Sequence, residues 1–239
     1  MLLEKITMYD FQEGLKKTQT IAIPFGSVEE HGPHLPLGTD TIHVYELLKR
    51  VCQIRSLFVA PPLWYGLCRS TKQHPGTIGI SSMALRGFVK EMCRSFYYQG
   101  LRNFLLISGH AGGTHMASIL DAADELIEEL AASKFAVLSI IDLIKLLPKG
   151  LVETEGDSHA GEVETSLMLY LREEDVKGNG KREFPNFPKF IIARNKRHFW
   201  PGGIWGDPTL ASKDKGRCIL EQEVKILDKI IAQLEAFKD

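Results

Sequence analysis

The sequence TIAIPF occupies Thr20–Phe25 and is followed at once by GSVEEHGPHLPLGTD, Gly26–Asp40. The first stretch is short and apolar, which is typical of a strand buried on both faces of a parallel sheet. The second is rich in glycine, proline and polar residues, which predicts a loop. A helical pattern follows at Thr41–Ile54, where apolar residues recur every three or four positions. The region therefore predicts a strand, a loop that carries polar side chains, and a helix.

The same alternation of strand and helix continues along the chain. Further strands are predicted at Leu57–Ala60, Asn103–Ser108 and Phe135–Ile141. Further helices are predicted at Ser82–Gln99, Thr114–Ala132, Gly161–Leu171 and Lys213–Phe237. Strands that alternate with helices form parallel β-α-β units, so we predict an α/β fold, a three-layer α/β/α sandwich with a mostly parallel sheet. Residues 1–239 are predicted to form a single domain.

Composition argues against several classes of protein. The 239 residues include 29 Lys and Arg and 30 Asp and Glu, a formal net charge of -1. Without a basic excess we expect neither a nucleic-acid partner nor a membrane partner. No segment reaches the about eighteen apolar residues of a membrane span, and residues 1–17 do not resemble a signal peptide. The four cysteines form no C-x-x-C pair. As free buried thiols they favour a reducing compartment, so we expect a cytoplasmic protein.

Side chains that bind metals are concentrated in two loops that follow predicted strands. Glu29, His31 and Asp40 lie in the loop after the first strand, and His110 follows the third strand in the motif SGHAGG. Ligands of parallel α/β sheets bind beyond the carboxyl ends of the strands. Carboxylates and imidazoles are ligands of zinc, manganese and iron. These residues therefore predict a metal site. The structural alternatives are helix capping by Asp40 and a surface position for His31.

Three further motifs and the glycines of SGHAGG are compatible with either a functional or a structural role. HAGEVETS begins at His159, and its glutamates would equally suit the first turn of a helix. His74 lies in a Pro-Gly turn, where a structural role is the main alternative. Trp200 and Trp205 lie in a glycine- and proline-rich loop that could line a pocket or pack against the protein. The glycines of SGHAGG could cradle a phosphate, but the motif lacks the lysine of a P-loop.

Together these motifs resemble those of the creatininase (creatinine amidohydrolase) family. The resemblance extends over nearly the whole chain and rests on five motifs in the family's order. They are GSVEEHGPHLPLGTD, HPGTI, SGHAGG, HAGEVETS and GDP, at residues 26–40, 74–78, 108–113, 159–166 and 206–208. The resemblance implies an α/β fold, two divalent metal ions per chain and a homo-oligomer, a hexamer. Zinc is the expected ion, with manganese or iron as alternatives.

The resemblance also implies which residues bind each ion. Glu29, Asp40 and His110 match the positions that bind one ion. His31 and Asp40 match those that bind the other. Asp40 would thus bridge the two ions.

Two departures from creatininase bear on the site and the substrate. Creatininase has a further metal-binding glutamate where this chain has Gly112, and a glutamate before its catalytic histidine where this chain has Ser158. Both departures weaken creatinine as the substrate. We predict that Glu162, rather than Glu164, supplies the missing carboxylate. Glu162 lies three residues after His159 at the start of a helix, and Glu164 lies about 200° further around it.

These features predict a metal-dependent amidohydrolase that cleaves the C–N bond of a small amide, cyclic amides included. Two metals would generate hydroxide from a bridging water. The predicted catalytic residues are His159, which would protonate the leaving nitrogen, and Glu162. The predicted substrate-binding residues are His74, Gly112, Gly113 and Trp205.

Other functions are compatible with the same resemblance. One is a formamide hydrolase that acts on a formylaminopyrimidine nucleotide, and another is a peptidase that trims a short modified peptide. A nucleotide would need a cationic pocket, for which the candidates are Arg69, Lys72, Arg194, Lys196 and Arg197. A non-catalytic metal-binding scaffold is a third alternative, which the retained ligand residues argue against.

Overall fold

The computed structural model describes residues 1–238, in which strands and helices alternate up to the fourth strand and three further helices follow it. Asp239, the last residue of the predicted domain, lies outside the described residues. The strands are β1 (Thr20–Phe25), β2 (Phe58–Val59), β3 (Asn103–Ser108) and β4 (Lys134–Ser139). The helices are α1 (Met8–Leu15), α2 (Thr39–Ile54), α3 (Ser82–Tyr98), α4 (Gly113–Glu129), α5 (Ile140–Ile144), α6 (Glu162–Leu171) and α7 (Lys213–Ala236).

The four strands form one parallel sheet in the order β2-β1-β3-β4. β1 and β3 pair along their full length, from Thr20 opposite Asn103 to Phe25 opposite Ser108. All six residues of β1 are buried, which explains its unbroken apolar run. Since β1 and β3 are parallel neighbours, the loops that leave their carboxyl ends lie side by side. These are the two loops that carry the predicted metal ligands.

Helices cover both faces of the sheet. α2, α6 and α7 pack on one face, which includes Ala22 and Leu105. α1, α3 and α4 pack on the other face, which includes Ile21 and Phe104. Neighbouring residues of a strand thus point into opposite apolar layers. This three-layer arrangement confirms the predicted α/β fold class.

The predicted element boundaries agree with the structure for β1 and β3 and differ by a few residues elsewhere. β2 is shorter than expected because only Phe58 and Val59 pair with β1. Two short helices, α1 and α5, have no counterpart in the sequence prediction, and each begins with a capping box. None of the helices within residues 1–238 combines the length and the apolar composition needed to span a bilayer.

A buried ion pair joins α2 to α7. His43 Nε2 lies 2.7 Å from Glu223 Oε2, and both side chains are almost completely buried. Burial favours the neutral imidazole, but the negative charge of Glu223 outweighs it and raises the pKa of His43 above its ordinary value. The raised pKa favours the protonated His43 imidazole beside Glu223 within an apolar layer.

Glu223→Leu is expected to lower the free energy of unfolding by about 3–5 kcal/mol, because it leaves the His43 imidazole buried without its counter-charge. The double variant His43→Leu/Glu223→Leu should recover most of that loss, since two apolar side chains can replace a buried pair. Urea unfolding at fixed protein and metal concentration measures both values. Equal stability of Glu223→Leu and the wild type would contradict the role assigned to the pair.

The stabilisation by this pair is also expected to depend on pH. Folding raises the pKa of His43 above 6.5. The contribution of the pair is therefore fully present below about pH 6.5 and is lost as the pH rises through the folded pKa. The difference in unfolding free energy between the wild type and the double variant should therefore decrease as the pH rises above about 6.5. A difference that stays constant or rises with pH would contradict the raised pKa of His43.

Candidate metal centre and active site

The structure brings Glu29, His31, Asp40 and His110 together at the carboxyl edge of the sheet. Asp40, in the first turn of α2, points its two oxygens at two different histidines: Oδ1 lies 3.0 Å from His31 Nε2, and Oδ2 lies 3.3 Å from His110 Nδ1. His110 Nδ1 also lies 2.7 Å from Glu29 Oε2. All four side chains are buried. One carboxylate therefore lies between two groups of metal-binding donors.

Backbone carbonyl groups hold the far nitrogen of each histidine. His31 Nδ1 lies 3.1 Å from the carbonyl oxygen of Glu29, and His110 Nε2 lies 3.2 Å from that of Leu67. Because a carbonyl oxygen only accepts hydrogen bonds, each of these nitrogens carries a hydrogen. In the neutral rings, the lone pairs of His31 Nε2 and His110 Nδ1 then face Asp40. Metal-binding histidines are oriented in this way.

Glu164, in the first turn of α6, supplies a further carboxylate beside His31. Its Oε2 lies 3.7 Å from His31 Nε2. His31, His159 and Glu164 present donor atoms that all lie within 4.8 Å of one another. All three belong to the group of donors on the Oδ1 side of Asp40.

The structure contradicts the prediction that Glu162 shares this cavity. Its carboxylate points away, where it accepts hydrogen bonds from two backbone amides of the preceding loop and from the Lys215 ammonium. The reason is that α6 begins at Glu162 itself. His159 lies before the helix, in an extended bridge with Trp205. Helical spacing therefore does not relate Glu162 to His159.

Burial and the neighbouring charges shift the pKa values of the cluster in opposite directions, and the effect of the neighbouring charges is the larger one. Burial favours a neutral His31, but the carboxylates of Asp40 and Glu164 outweigh it and raise its pKa to about 10. Burial also opposes the charged form of Glu29, but the neighbouring His110 lowers the pKa of Glu29 to about 2. The side chains thus form a site that stabilises positive charge.

Cys68 and Thr71 also reach the cluster, and sequence reasoning did not identify them. The Cys68 sulfur and donor atoms of Glu29 and His110 all lie within 4.8 Å of one another. Burial raises the pKa of the Cys68 thiol. The Thr71 hydroxyl donates a hydrogen bond to Glu29. Both residues lie in the irregular loop after β2, where no periodic pattern could have indicated them.

His115, in the first turn of α4, supports the loop that carries His110. Its Nδ1 accepts a hydrogen bond from the Leu67 amide at 3.1 Å, and its Nε2 donates to Ser108 Oγ at 3.0 Å. The Ser108 hydroxyl in turn donates to the carbonyl oxygen of His110. Burial, together with the nearby His110, lowers the pKa of His115 to about 3, so it stays neutral. A second histidine five residues after His110 was the sequence signal for this support.

Two glycines allow the loop after β3 to approach the cluster. A β-carbon at Gly109 would overlap the carbonyl oxygen of Asp40, and one at Gly112 would lie 2.6 Å from His110 Nε2. A carboxylate side chain at position 112 would therefore displace His110. Glu164 brings a carboxylate to the cluster from α6 instead.

The cluster borders a cavity of about 480 Å³. The predicted site residues that line this cavity also include His159, Gly112, Gly113 and Trp205. His74, predicted to bind substrate, is not among the lining residues within 1–238. It is buried, and its Nε2 donates to the carbonyl oxygen of Trp200 at 2.7 Å. His74 thus contacts the tryptophan loop and lies behind the residues that line the cavity.

Glu30 is a buried carboxylate that the sequence reasoning left without a role. Its backbone carbonyl oxygen lies 2.8 Å from His159 Nε2. Its Oε1 lies 3.6 Å from His159 Nε2 and 3.8 Å from His74 Nδ1. Glu30 therefore fixes the orientation of the His159 ring at the cavity wall.

Comparison with known proteins identifies the family to which the chain is similar. The model of the creatininase family, described as creatinine amidohydrolase, matches residues 4–231. 3-Dehydro-scyllo-inosose hydrolase from Thermotoga maritima is 26% identical over 97% of this chain and 82% of that protein. Mycofactocin precursor peptide peptidase from Mycobacterium ulcerans is 30% identical over 86% of this chain and 81% of that protein. Creatinine amidohydrolase from Pseudomonas putida is 29% identical over 84% of each.

The fold agrees with the family match. A solved structure described as "Creatininase Mn" superposes with a TM-score of 0.87 at 25% identity, over 97% of both chains. The family model covers almost the whole sequence, and the predicted class of enzyme, a hydrolase, is confirmed. The chain belongs to the creatininase family of amidohydrolases, as its motifs predicted.

Proposed function

We propose that the chain is a two-metal amidohydrolase. Glu29, Asp40 and His110 would hold one divalent ion, and His31, Asp40 and Glu164 would hold the other. The observation that carries the proposal is the position of Asp40, whose two oxygens face two different histidine nitrogens at 3.0 and 3.3 Å. A carboxylate between two metal ions has this arrangement.

The donors present fit two such ions. Donors bound to one zinc ion at about 2.0–2.2 Å lie about 3.0–3.6 Å apart. The corresponding separations here run from 2.7 Å, between His110 and Glu29, to 3.7 Å, between His31 and Glu164. Imidazoles and carboxylates suit zinc, manganese and iron, and the nearby Cys68 thiol would favour zinc. We therefore propose zinc, with manganese or iron as alternatives.

Two divalent ions bound there would lower the pKa of a coordinated water towards neutrality and polarise the scissile carbonyl group. Residues of the chain would move the protons. The His159 ring lies 4.2 Å from the His31 ring, centroid to centroid, and keeps its Nε2 hydrogen on the Glu30 carbonyl oxygen. Its Nδ1 makes no hydrogen bond within residues 1–238. This nitrogen is available to accept a proton and pass it to the leaving nitrogen of the amide.

The N-terminus of α4 would contribute to binding the substrate carbonyl oxygen. Gly112 precedes the helix without a side-chain hydrogen bond, and Gly113 and Thr114 line the cavity beside it. The first amides of a helix have no partner within that helix. They can therefore donate to an oxygen that gains negative charge during the reaction.

The proposed reaction is hydrolysis of the C–N bond of a small amide, cyclic amides included. The names of the three relatives point to creatinine, a precursor peptide and an inosose, so similarity alone selects none of these substrates. The formamide of a formylaminopyrimidine nucleotide and a short modified peptide are the other candidates. A screen of metal-loaded protein against creatinine, such formamides and short peptides would separate them.

Removal of the metal ions is expected to abolish amide hydrolysis. Without the ions, water at the site would keep its high pKa and the scissile carbonyl group would not be polarised. Dialysis against a chelator should reduce turnover to background, and addition of zinc or manganese should restore it with about two ions bound per chain. Elemental analysis measures the number of bound ions, and steady-state kinetics measures the turnover. Full turnover by metal-free protein would contradict the proposed function.

We also propose that the chain forms one domain and assembles as a homohexamer in the cytoplasm. One sheet shared by both apolar layers supports the single domain. The free thiols of Cys68 and Cys93 are buried, and those of Cys52 and Cys218 are half-buried, which supports a reducing compartment. The hexamer rests on the family resemblance. A single-chain mass by light scattering at micromolar concentration would contradict it.

A further inference from the structure

Two cationic side chains border the cavity of the proposed metal centre, and the proposed reaction uses neither. Arg69 lies in the loop after β2, and Lys196 lies between α6 and α7. Lys196 Nζ donates a hydrogen bond to the carbonyl oxygen of Arg69 at 3.2 Å. Residues that are distant in the sequence thus bring an arginine and a lysine to the border of one cavity.

Neither cation forms an ion pair with a carboxylate in the part of the chain that the structure describes. Other cations of the protein do: Arg55 lies between Asp228 and Glu235, and Arg94 pairs with Glu129. The only hydrogen bond of the Lys196 ammonium within residues 1–238 is the one to the Arg69 backbone. Both charges are therefore available to a ligand.

The two loops that carry these cations are fixed relative to the proposed metal ligands. Gln73 Oε1 accepts hydrogen bonds from the Lys196 amide at 2.7 Å and from the Arg197 amide at 3.4 Å. The hydroxyl of Thr71, two residues after Arg69, donates to Glu29. A ligand group at the cations would therefore sit at a defined place relative to the metal centre, which lowers the entropic cost of binding.

Neutralisation of the metal-centre carboxylates does not require these cations. Among residues 1–238, three carboxylates border the cavity, those of Glu29, Asp40 and Glu164. Two divalent ions would more than balance their charge. The N-terminus of α4, the positive end of its helix dipole, borders the same cavity. The loaded cavity would thus be positive, and it would attract an anion.

We propose that the substrate is an amide that carries an anionic group, a phosphate or a carboxylate, which binds Arg69 and Lys196 while the amide lies at the metal centre. This inference rests on the proposed function. It names the chemical class of the substrate, and neutral amides are predicted to be poor substrates.

Calorimetric binding of phenyl phosphate and benzoate to zinc-loaded protein tests the anion site. The wild type is expected to bind at least one of the two, and the one it binds distinguishes phosphate from carboxylate. Arg69→Met and Lys196→Met should each weaken that binding roughly tenfold or more, because each removes a charged hydrogen-bond donor. Lys72→Met and Arg197→Met are matched controls: they remove nearby charges that do not line the cavity. They should change the affinity by less than about threefold.

Two binding results would overturn the proposal. One is failure of the wild type to bind either probe at millimolar concentration. The other is equal binding by the wild type, Arg69→Met and Lys196→Met, which would place the anion on the metal ions. Elemental analysis of each variant shows whether the metal ions are retained, and Arg69→Lys should keep part of the affinity because it restores the charge.

Hydrolysis of three matched amides separates this inference from the proposed function. Formanilide is neutral, and 4-formamidobenzoate and 4-formamidophenyl phosphate add one anionic group each. At least one charged amide should have a lower KM than formanilide, and Arg69→Met should reduce that difference. Equal kcat/KM for all three would overturn the anion site and leave the amidohydrolase intact. Anion binding without hydrolysis of these amides or of creatinine would count against the proposed function alone.

Discussion

Asp40→Asn is expected to release both metal ions and to lower kcat/KM for amide hydrolysis by at least about a thousandfold. Asparagine keeps the size of the side chain but loses the negative charge and one of the two acceptor oxygens, which face His31 and His110. Metal ions contribute several kcal/mol to catalysis, and about 1.4 kcal/mol corresponds to a factor of ten in rate. Elemental analysis and steady-state kinetics of the metal-loaded variant measure the two effects.

Asp228→Asn is the matched control for this substitution. Asp228 lies on α7, where it pairs with Arg55, and it does not line the cavity. This variant should keep two ions per chain and the turnover of the wild type. Two tightly bound ions and near-normal turnover in Asp40→Asn would show that Asp40 does not bridge the centre.

Glu164→Gln is expected to retain about one ion per chain and to lose at least about a hundredfold in kcat/KM. Without this carboxylate, His31 and the shared Asp40 would be the remaining ligands of the second ion. The ion held by Glu29, Asp40 and His110 keeps its full set of donors. The loss of rate follows because a single ion cannot both activate water and polarise the carbonyl as effectively as two. Titration with zinc, followed by elemental analysis, measures the stoichiometry.

Glu162→Gln is the control, since it makes the same chemical change two residues away. Burial favours the neutral form of Glu162, but hydrogen bonds from Lys215 and from the backbone of the preceding loop lower its pKa. Glu162→Gln should therefore keep both ions and lose about 1.5–3 kcal/mol of stability, the usual cost of a charged hydrogen bond. One ion in Glu162→Gln and two in Glu164→Gln would reverse the assignment.

Glu162 and Glu164 also show where sequence reasoning reached its limit. Both glutamates lie in one motif, and Glu162 was chosen because a residue three positions after His159, at the start of a helix, was expected to face the same cavity. In the structure, α6 begins at Glu162, and His159 lies in an extended segment opposite Trp205. The predicted helix start, Gly161, differs from the observed start by one residue. The boundary was therefore close to correct, and what the sequence did not give was the direction in which the first turn of α6 points each carboxylate.

The irregular loops illustrate the same limit. Cys68, Arg69 and Thr71 follow a two-residue strand, and Lys196 lies in a long segment that contains only short helical turns. Neither segment has a periodic pattern of apolar residues from which the direction of a side chain could be predicted. The sequence offered Arg69 and Lys196 among five candidate cations, and only the folded chain selected these two as lining the cavity.

The sequence by itself determined the family, the α/β class, the two central strands and the loops that bring Glu29, His31, Asp40 and His110 together. These features depend on short-range patterns: buried strands read as apolar runs, and ligands of a parallel sheet lie beyond its carboxyl edge. Only the tertiary structure decided which glutamate faces the cavity and which cations border it. Those directions depend on partners far away in the chain, such as Lys215, whose ammonium binds Glu162 from 53 residues away. Side-chain direction at such positions is fixed by whichever distant group satisfies the buried charge, and no local pattern records it.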